Sequence, residues 1–218
     1  MTAHFVDLLD ELQRRFLRMA SLVEDILDEA CEAVAMSDDV MARRVVARDN
    51  DVDAEEVAVE AEVIRLLALY QPVGVDLRLL CTVLKMNNDL ERIADCAVNI
   101  AERARHLDLE TVPEQAELIT QMGPIVRRML RAAMQAYGAQ DARLASAVFS
   151  EEEVVDALYG QLVRSIVAES TRLPERMVSF LDVISVAKNL ERIADHTTNI
   201  AEDVVFLCTG EIVRHRQK

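Results

Sequence analysis

Apolar residues recur every three or four positions along almost the whole chain, the spacing of one buried face of an α-helix. In the first segment Phe5, Leu8, Leu12, Phe16, Met19, Val23 and Ile26 form such a stripe. Thr2 is placed to cap this helix, which the pattern carries to about Met36. Ser37-Asp38-Asp39 is a new N-cap signal, and a second helix extends to about Tyr70. Gln71-Pro72-Val73-Gly74 ends it, because proline removes a donor and restricts the residue before it. A third helix is predicted from near Asp76 to about His106. The stretch Asp108-Leu109-Glu110-Thr111-Val112-Pro113 reads as a linker.

The pattern then starts again. A fourth helix is predicted from Pro113 to Ala139, with a kink or break at Gly123-Pro124. Gly138 and Asp141 mark a stop and a start, and a fifth helix reaches about Ser170. Leu173-Pro174 interrupts the chain, and a sixth helix runs to about Cys208 with Gly210 past its end. Each helix spans about 30 residues, or roughly 45 Å. Short connections make neighbours antiparallel. The expected fold is all-α: two tandem three-helix bundles over residues 1–107 and 113–210, then a short basic tail at 211–218.

Composition narrows the picture. The 218 residues include only five glycines and four prolines. A sandwich or barrel needs turn residues every 8–12 positions, far more than these supply. The formal charge of −15 argues against nucleic acid as a partner, since a polyanion requires clustered Lys and Arg. No apolar stretch is long enough to span a bilayer, and Asp7, Asp10 and Glu11 interrupt the N-terminus before a secretory signal could form. A cytoplasmic location is expected. Cys31, Cys81, Cys96 and Cys208 show no CxxC spacing and read as buried free thiols.

The chemistry lies in a repeat. Residues 90–102 read LERIADCAVNIAE and residues 190–202 read LERIADHTTNIAE, so ten of thirteen positions match. Packing accounts for Leu90, Ile93 and Ile100 and their counterparts Leu190, Ile193 and Ile200. It does not account for Glu91, Arg92, Asp95, Asn99 and Glu102 matching Glu191, Arg192, Asp195, Asn199 and Glu202, because a solvated face tolerates almost any polar residue. Positions 77, 80, 84, 88, 91, 95, 99 and 102 form one stripe that turns from apolar to acidic midway. The sixth helix repeats that change, with Lys188 where the third has Asn88. A second stripe, Val83, Met86, Leu90, Ile93, Ala97 and Ile100, is apolar throughout and should face the core.

Neighbouring helices carry matching acids: Asp49, Asp53, Glu56 and Glu60 on the second, Glu152 and Asp156 on the fifth. Like charges at i, i+4 repel by about 0.2–0.5 kcal/mol, and more where the face is covered. Four acid-xxx-Asp pairs on adjacent helices would surround a common volume with oxygens only, the donor set for a hard cation such as Mg²⁺, Mn²⁺, Ca²⁺ or Fe³⁺.

The doubled LERIAD…NIAE motif, each copy preceded by a helix bearing acid-xxx-Asp, resembles the PhoU family of phosphate-signalling regulators. Tyr70-Gln71-Pro72 followed by Asp76-Leu77-Arg78 resembles that family's turn into its third helix. The resemblance spans essentially the whole chain. It implies two three-helix bundles related by a pseudo-twofold, and a protein that is cytoplasmic and often dimeric. It implies partnership with the ATPase-driven phosphate ABC transporter and a sensor histidine kinase, with starvation genes kept off when phosphate is plentiful. It also implies metal held by Asp49, Asp53, Glu91 and Asp95 in one repeat and by Glu152, Asp156, Glu191 and Asp195 in the other. Ala94 and Ala194 stand where the family often has glycine. Lys188 should make the second site less anionic.

Read as chemistry, the chain lacks a nucleophile–base–orienter set and any P-loop or dinucleotide fingerprint. A non-enzymatic adaptor is therefore the leading reading. The alternative is a carboxylate-bridged di-metal enzyme on a helical bundle. Such sites use Glu-x-x-His on two helices, and no ExxH occurs here; His196 lies about 100° round the helix from Asp195. A purely structural helical protein would leave the repeated acids without a purpose.

Overall fold

The computed structural model describes residues 3–213. Eight α-helices succeed one another among them: α1 Ala3–Met36, α2 Asp39–Ala47, α3 Asp49–Tyr70, α4 Val75–Ala104, α5 Pro113–Ala139, α6 Ala142–Ser146, α7 Phe149–Ser170 and α8 Met177–Thr209. Short 3-10 turns occupy Leu109–Thr111 and Pro174–Arg176. The fold is all-α, with α1–α4 and α5–α8 forming the two repeats. Thr2 and the basic residues 214–218 lie outside the described residues.

The expected second and fifth helices are each broken in two. Arg48 closes α2 with a tight bond from its N–H to the Val45 carbonyl (3.0 Å), and Val148 bonds Ala145 in the same way (3.1 Å). The apolar rhythm runs through the first break in phase, since Val45, Val52 and Val59 are seven apart and all fully buried. Hydrophobic periodicity therefore cannot reveal this corner. Tertiary contacts hold it: the Arg48 guanidinium bonds Glu29 on α1 at 3.0 Å.

The predicted cap at Asp38 is present, its carboxylate accepting from the Val40 and Met41 amides at 2.9 and 3.0 Å. Asp141 caps α6 similarly through Arg143 and Leu144. Gln71 and Gln140, not glycines, take the left-handed positions that end α3 and α5. Gly210 takes the same conformation after α8 at φ 76°. There Arg78 lies so close that a Cβ on residue 210 would clash with it.

Pro124 does not interrupt α5, which continues through it to Ala139. Proline costs a helix interior about 3 kcal/mol. Burial of Met122, Val126, Met129 and Leu130 on both sides offsets that, since each large apolar side chain contributes about 1.5–3 kcal/mol.

The stripe Val83, Met86, Leu90, Ile93, Ala97 and Ile100 is fully buried, as its apolar continuity predicts. The seam between the repeats is the packing of α4 against α8, more extensive than that of any other two helices. Lys85 pairs with Asp203 at 3.2 Å and Arg103 with Asp182 at 3.4 Å. The start of each helix therefore lies beside the end of the other, so the two are antiparallel.

All four cysteines are free, but only Cys96 is fully buried; Cys31, Cys81 and Cys208 are partly covered. Burial pushes the Cys31 thiol up to about 12, which keeps it protonated and unreactive at neutral pH.

Candidate metal centres

In each repeat the acidic half of the central helix is flanked by the start of its neighbour. Both elements are helical for the reasons given above, and i, i+4 spacing puts two carboxylates of each on one side. Of the eight sequence-predicted acids, the structure brings Asp156, Glu191 and Asp195 within 4.8 Å of one another, while Asp49, Asp53, Glu91, Asp95 and Glu152 sit near enough to such partners to influence them electrostatically.

In the first repeat Asp49 and Asp53 on α3 face Glu91 and Asp95 on α4. Partial burial raises the Asp49 carboxyl above the usual range, and Asp53, Asp95 and Glu102 add to the rise. Partial burial likewise raises Glu91, reinforced by Asp95, Asp53 and Glu56 and opposed by Arg92. Arg92 lies 3.3 Å from both Glu91 and Asp95 and is itself about half exposed.

The second repeat repeats the plan more tightly. One oxygen from each of Asp156, Glu191 and Asp195 lies within 4.8 Å of the others. Among the described residues no other trio of Asp, Glu, His or Cys comes so close. Glu152 joins them: partial burial raises its carboxyl, and Asp156, Asp195 and Glu202 push the same way. Asp195 and Asp156 are raised by desolvation first and by neighbouring carboxylates next, with Lys188 opposing. Lys188 donates to Glu191 and lies 5.4 Å from the centroid of the Tyr159 ring.

The donor set is chemically suited to a hard cation: carboxylate oxygens, no thiolate, no imidazole. Raised carboxyl values on partly covered acids mean that ionising the whole group is costly, and a bound cation would remove that cost. In the first repeat a buried amide lies against one of the acids. Asn87, 1% exposed, donates to the Glu56 carbonyl at 3.0 Å and approaches the Glu56 carboxylate at 3.5 Å, while its own Oδ1 has no hydrogen-bond partner.

Glu56 and Glu102, named in the acidic stripes of the sequence though not among the predicted ligands, act on the first group electrostatically. No sequence signal marked Asn87 and Tyr159, because an amide or a phenol on a helix says nothing about a neighbouring site. His196 is only partly exposed, and its Nδ1 lies 2.8 Å from Asp89 Oδ1 on α4, with Asn199 donating to the same oxygen at 3.3 Å. The imidazole thus links the two repeats through Asp89.

No helix among the described residues is long and apolar enough to cross a membrane. Comparison with known proteins places the fold. The PhoU domain matches residues 16–104 and again residues 119–204. A phosphate-specific transport system accessory protein PhoU homolog from Caulobacter vibrioides is 36% identical over 216 residues, covering 97% of this chain and 94% of that protein. The one from Aquifex aeolicus is 37% identical over 208 residues, covering 95% and 94%. Among solved structures, PhoU from Pseudomonas aeruginosa superposes with a TM-score of 0.91 at 33% identity, covering 95% of this chain and all of that one. The phosphate transport system regulatory protein PhoU from Streptococcus pneumoniae gives 0.87 at 30%, covering 96% and 99%.

Proposed function

The chain belongs to the PhoU family, and we propose that it works there as a non-enzymatic regulator of phosphate uptake. In this reading it sits in the cytoplasm and contacts the ATPase subunit of a phosphate ABC transporter. It links that transporter to a sensor histidine kinase, and holds phosphate-starvation genes off while phosphate is plentiful. It acts as a homodimer and reaches the membrane only through those complexes. Its relatives are named for the accessory role, and the acidic balance keeps nucleic acid out of the set of partners.

The observation that carries the reading is the doubling of the carboxylate group on an otherwise well-packed helical core. Core packing requires none of these acids, yet both copies keep them. In our reading they hold Mg²⁺, Mn²⁺ or iron, supplied by Asp49, Asp53, Glu91 and Asp95 in one repeat and Glu152, Asp156, Glu191 and Asp195 in the other. A metal ion there would turn a self-repelling acidic face into one that accepts acidic groups of a partner. Binding to the folded state alone would also stabilise it, by about 2.7 kcal/mol at a hundredfold excess over Kd.

The test is a variant with Glu91→Gln, Asp95→Asn, Glu191→Gln and Asp195→Asn, assayed with a phosphate-starvation reporter in phosphate-rich medium. Circular dichroism and metal analysis of protein purified without chelator accompany it. Expected are unchanged helicity, loss of metal and derepression. Normal repression by a folded variant without metal would remove the clusters from the signalling surface.

A further inference from the structure

The two carboxylate clusters differ in charge most sharply at two positions of one small region. Buried residues align α3 with α7: Val52 with Val155, Val59 with Leu162, Val63 with Ile166. On that register Asp49 and Asp53 correspond to Glu152 and Asp156, and Glu56 corresponds to Tyr159. On α4 and α8, Asn88 corresponds to Lys188. An acid and an amide in the first repeat are thus an aromatic ring and an ammonium in the second, and these two exchanges alone make the second cluster formally two charges less negative.

The two exchanged residues touch. The Lys188 ammonium lies 5.4 Å from the Tyr159 ring centroid and donates to Glu191. Glu191 is largely covered, with 15% of its side chain exposed. Lys188 also acts electrostatically on Asp156 and Asp195. These three acids are the trio whose oxygens approach within 4.8 Å. Carboxylates that close repel unless a proton or a positive charge lies among them; the first repeat, with Asn88 and with the half-exposed Arg92 at 3.3 Å from Glu91 and Asp95, has no trio so close. A cation therefore already sits on the second cluster, carried by the chain itself and held over a ring face that favours it.

We propose that Lys188 is a tethered counter-ion of the second cluster, one that an incoming metal ion must displace, so that the two repeats bind metal in order, the first tightly and the second weakly. This rests on reading the clusters as metal sites. The first repeat then holds its ion constitutively. The second takes one only when free metal is abundant, with Lys188 swinging into solvent, where nearly half its side chain already lies.

The test is Mn²⁺ binding to the full chain, followed by electron paramagnetic resonance of the free ion. Glu91→Gln with Asp95→Asn silences the first cluster, so the remaining binding reports the second. In that background Lys188→Asn should tighten Mn²⁺ binding by about tenfold or more, because a repelled unit charge has been removed from contact distance. Lys188→Arg should leave it weak. In chelator, Lys188→Asn in the otherwise unaltered chain should lower Tm, and Asn88→Lys should weaken Mn²⁺ binding to the first cluster. Equal affinity of the two clusters in the parent chain would overturn the proposal, as would unchanged affinity after Lys188→Asn while the first cluster binds normally. If Mn²⁺ binds neither cluster in any variant, the metal reading itself fails and ordered binding with it; a Tm loss in chelator would then reduce Lys188 to a structural counter-ion.

Discussion

The central helices α4 and α8 carry the same LERIAD…NIAE frame, and each buries its apolar stripe completely or nearly so. What differs is the polar surround. Asp89 on α4 receives His196 and Asn199 from α8, whereas its counterpart Asn189 donates to the Ser185 carbonyl within its own helix. The first acid cluster is flanked by the exposed guanidinium of Arg92, and the second contains Lys188. Duplication has thus kept the core and the carboxylates while the cations and the contacts between repeats diverged. Core positions are constrained by close packing on every side, but a counter-charge can arrive from several directions and still do its electrostatic work.

The largest expected effect tests the shared part. Ile93→Ala and Ile193→Ala both open cavities at fully buried positions. Each should cost about 2–5 kcal/mol by urea denaturation, and the two losses should be similar. A loss confined to one repeat would mean that the cores are not equivalent and that one bundle carries the fold.

The next effect separates the copies. Asp89→Ala removes the buried acceptor of His196 and Asn199 and should cost about 1–3 kcal/mol. Asn189→Ala removes only a bond within one helix and should cost less than about 1 kcal/mol. Equal costs would contradict the asymmetry of the seam.

Smaller shifts concern the clusters without metal. Glu91→Gln with Asp95→Asn should raise Tm in chelator, since repulsion between partly covered acids is relieved. Glu191→Gln with Asp195→Asn should raise it less, or lower it, because Lys188 then loses its partner. Differential scanning calorimetry of the two variants decides this, and a larger rise in the second repeat would refute the difference assigned to Lys188.

The pH response follows from the same carboxyls. Asp49, Glu56, Glu91, Glu152, Asp156 and Asp195 are raised in the fold, desolvation first and neighbouring acids second. The fold therefore binds protons more readily than the unfolded chain. Their contribution to stability is present at and below the ordinary carboxylate range, about 4, and is lost as pH rises through the raised values. Asp39 and Glu62 work oppositely: hydrogen bonds from Arg43 and Arg105, and from Arg65, hold them low, so their contribution is lost only on stronger acidification. In chelator, Tm should rise as pH falls from neutral through these raised values. With metal bound the trend should reverse, because protons compete with the ion for the same oxygens. A metal-free Tm that falls steadily over that range would show that the clusters do not govern the acid response.

The sequence by itself determined the all-helical fold and its apolar stripes, and it pointed to both acid groups. Helical period, caps and prolines are local signals, and the repeat compares the chain with itself: Glu91 and Asp95 stand out because Glu191 and Asp195 match them. The corner at Arg48 was not legible, because the buried positions pass through it in phase and the ion pairs of Arg44 and Arg48 with Asp25 and Glu29 lie on another helix. Nor was the unbroken α5, where burial on both sides of Pro124 outweighs a local preference. Which way His196 points, that Asn87 lies against Glu56 and that Lys188 and Tyr159 share one seat were decided by tertiary structure alone. Each depends on a residue at least 29 positions away in the chain, brought near by helix packing, and no spacing along one helix encodes such a neighbour.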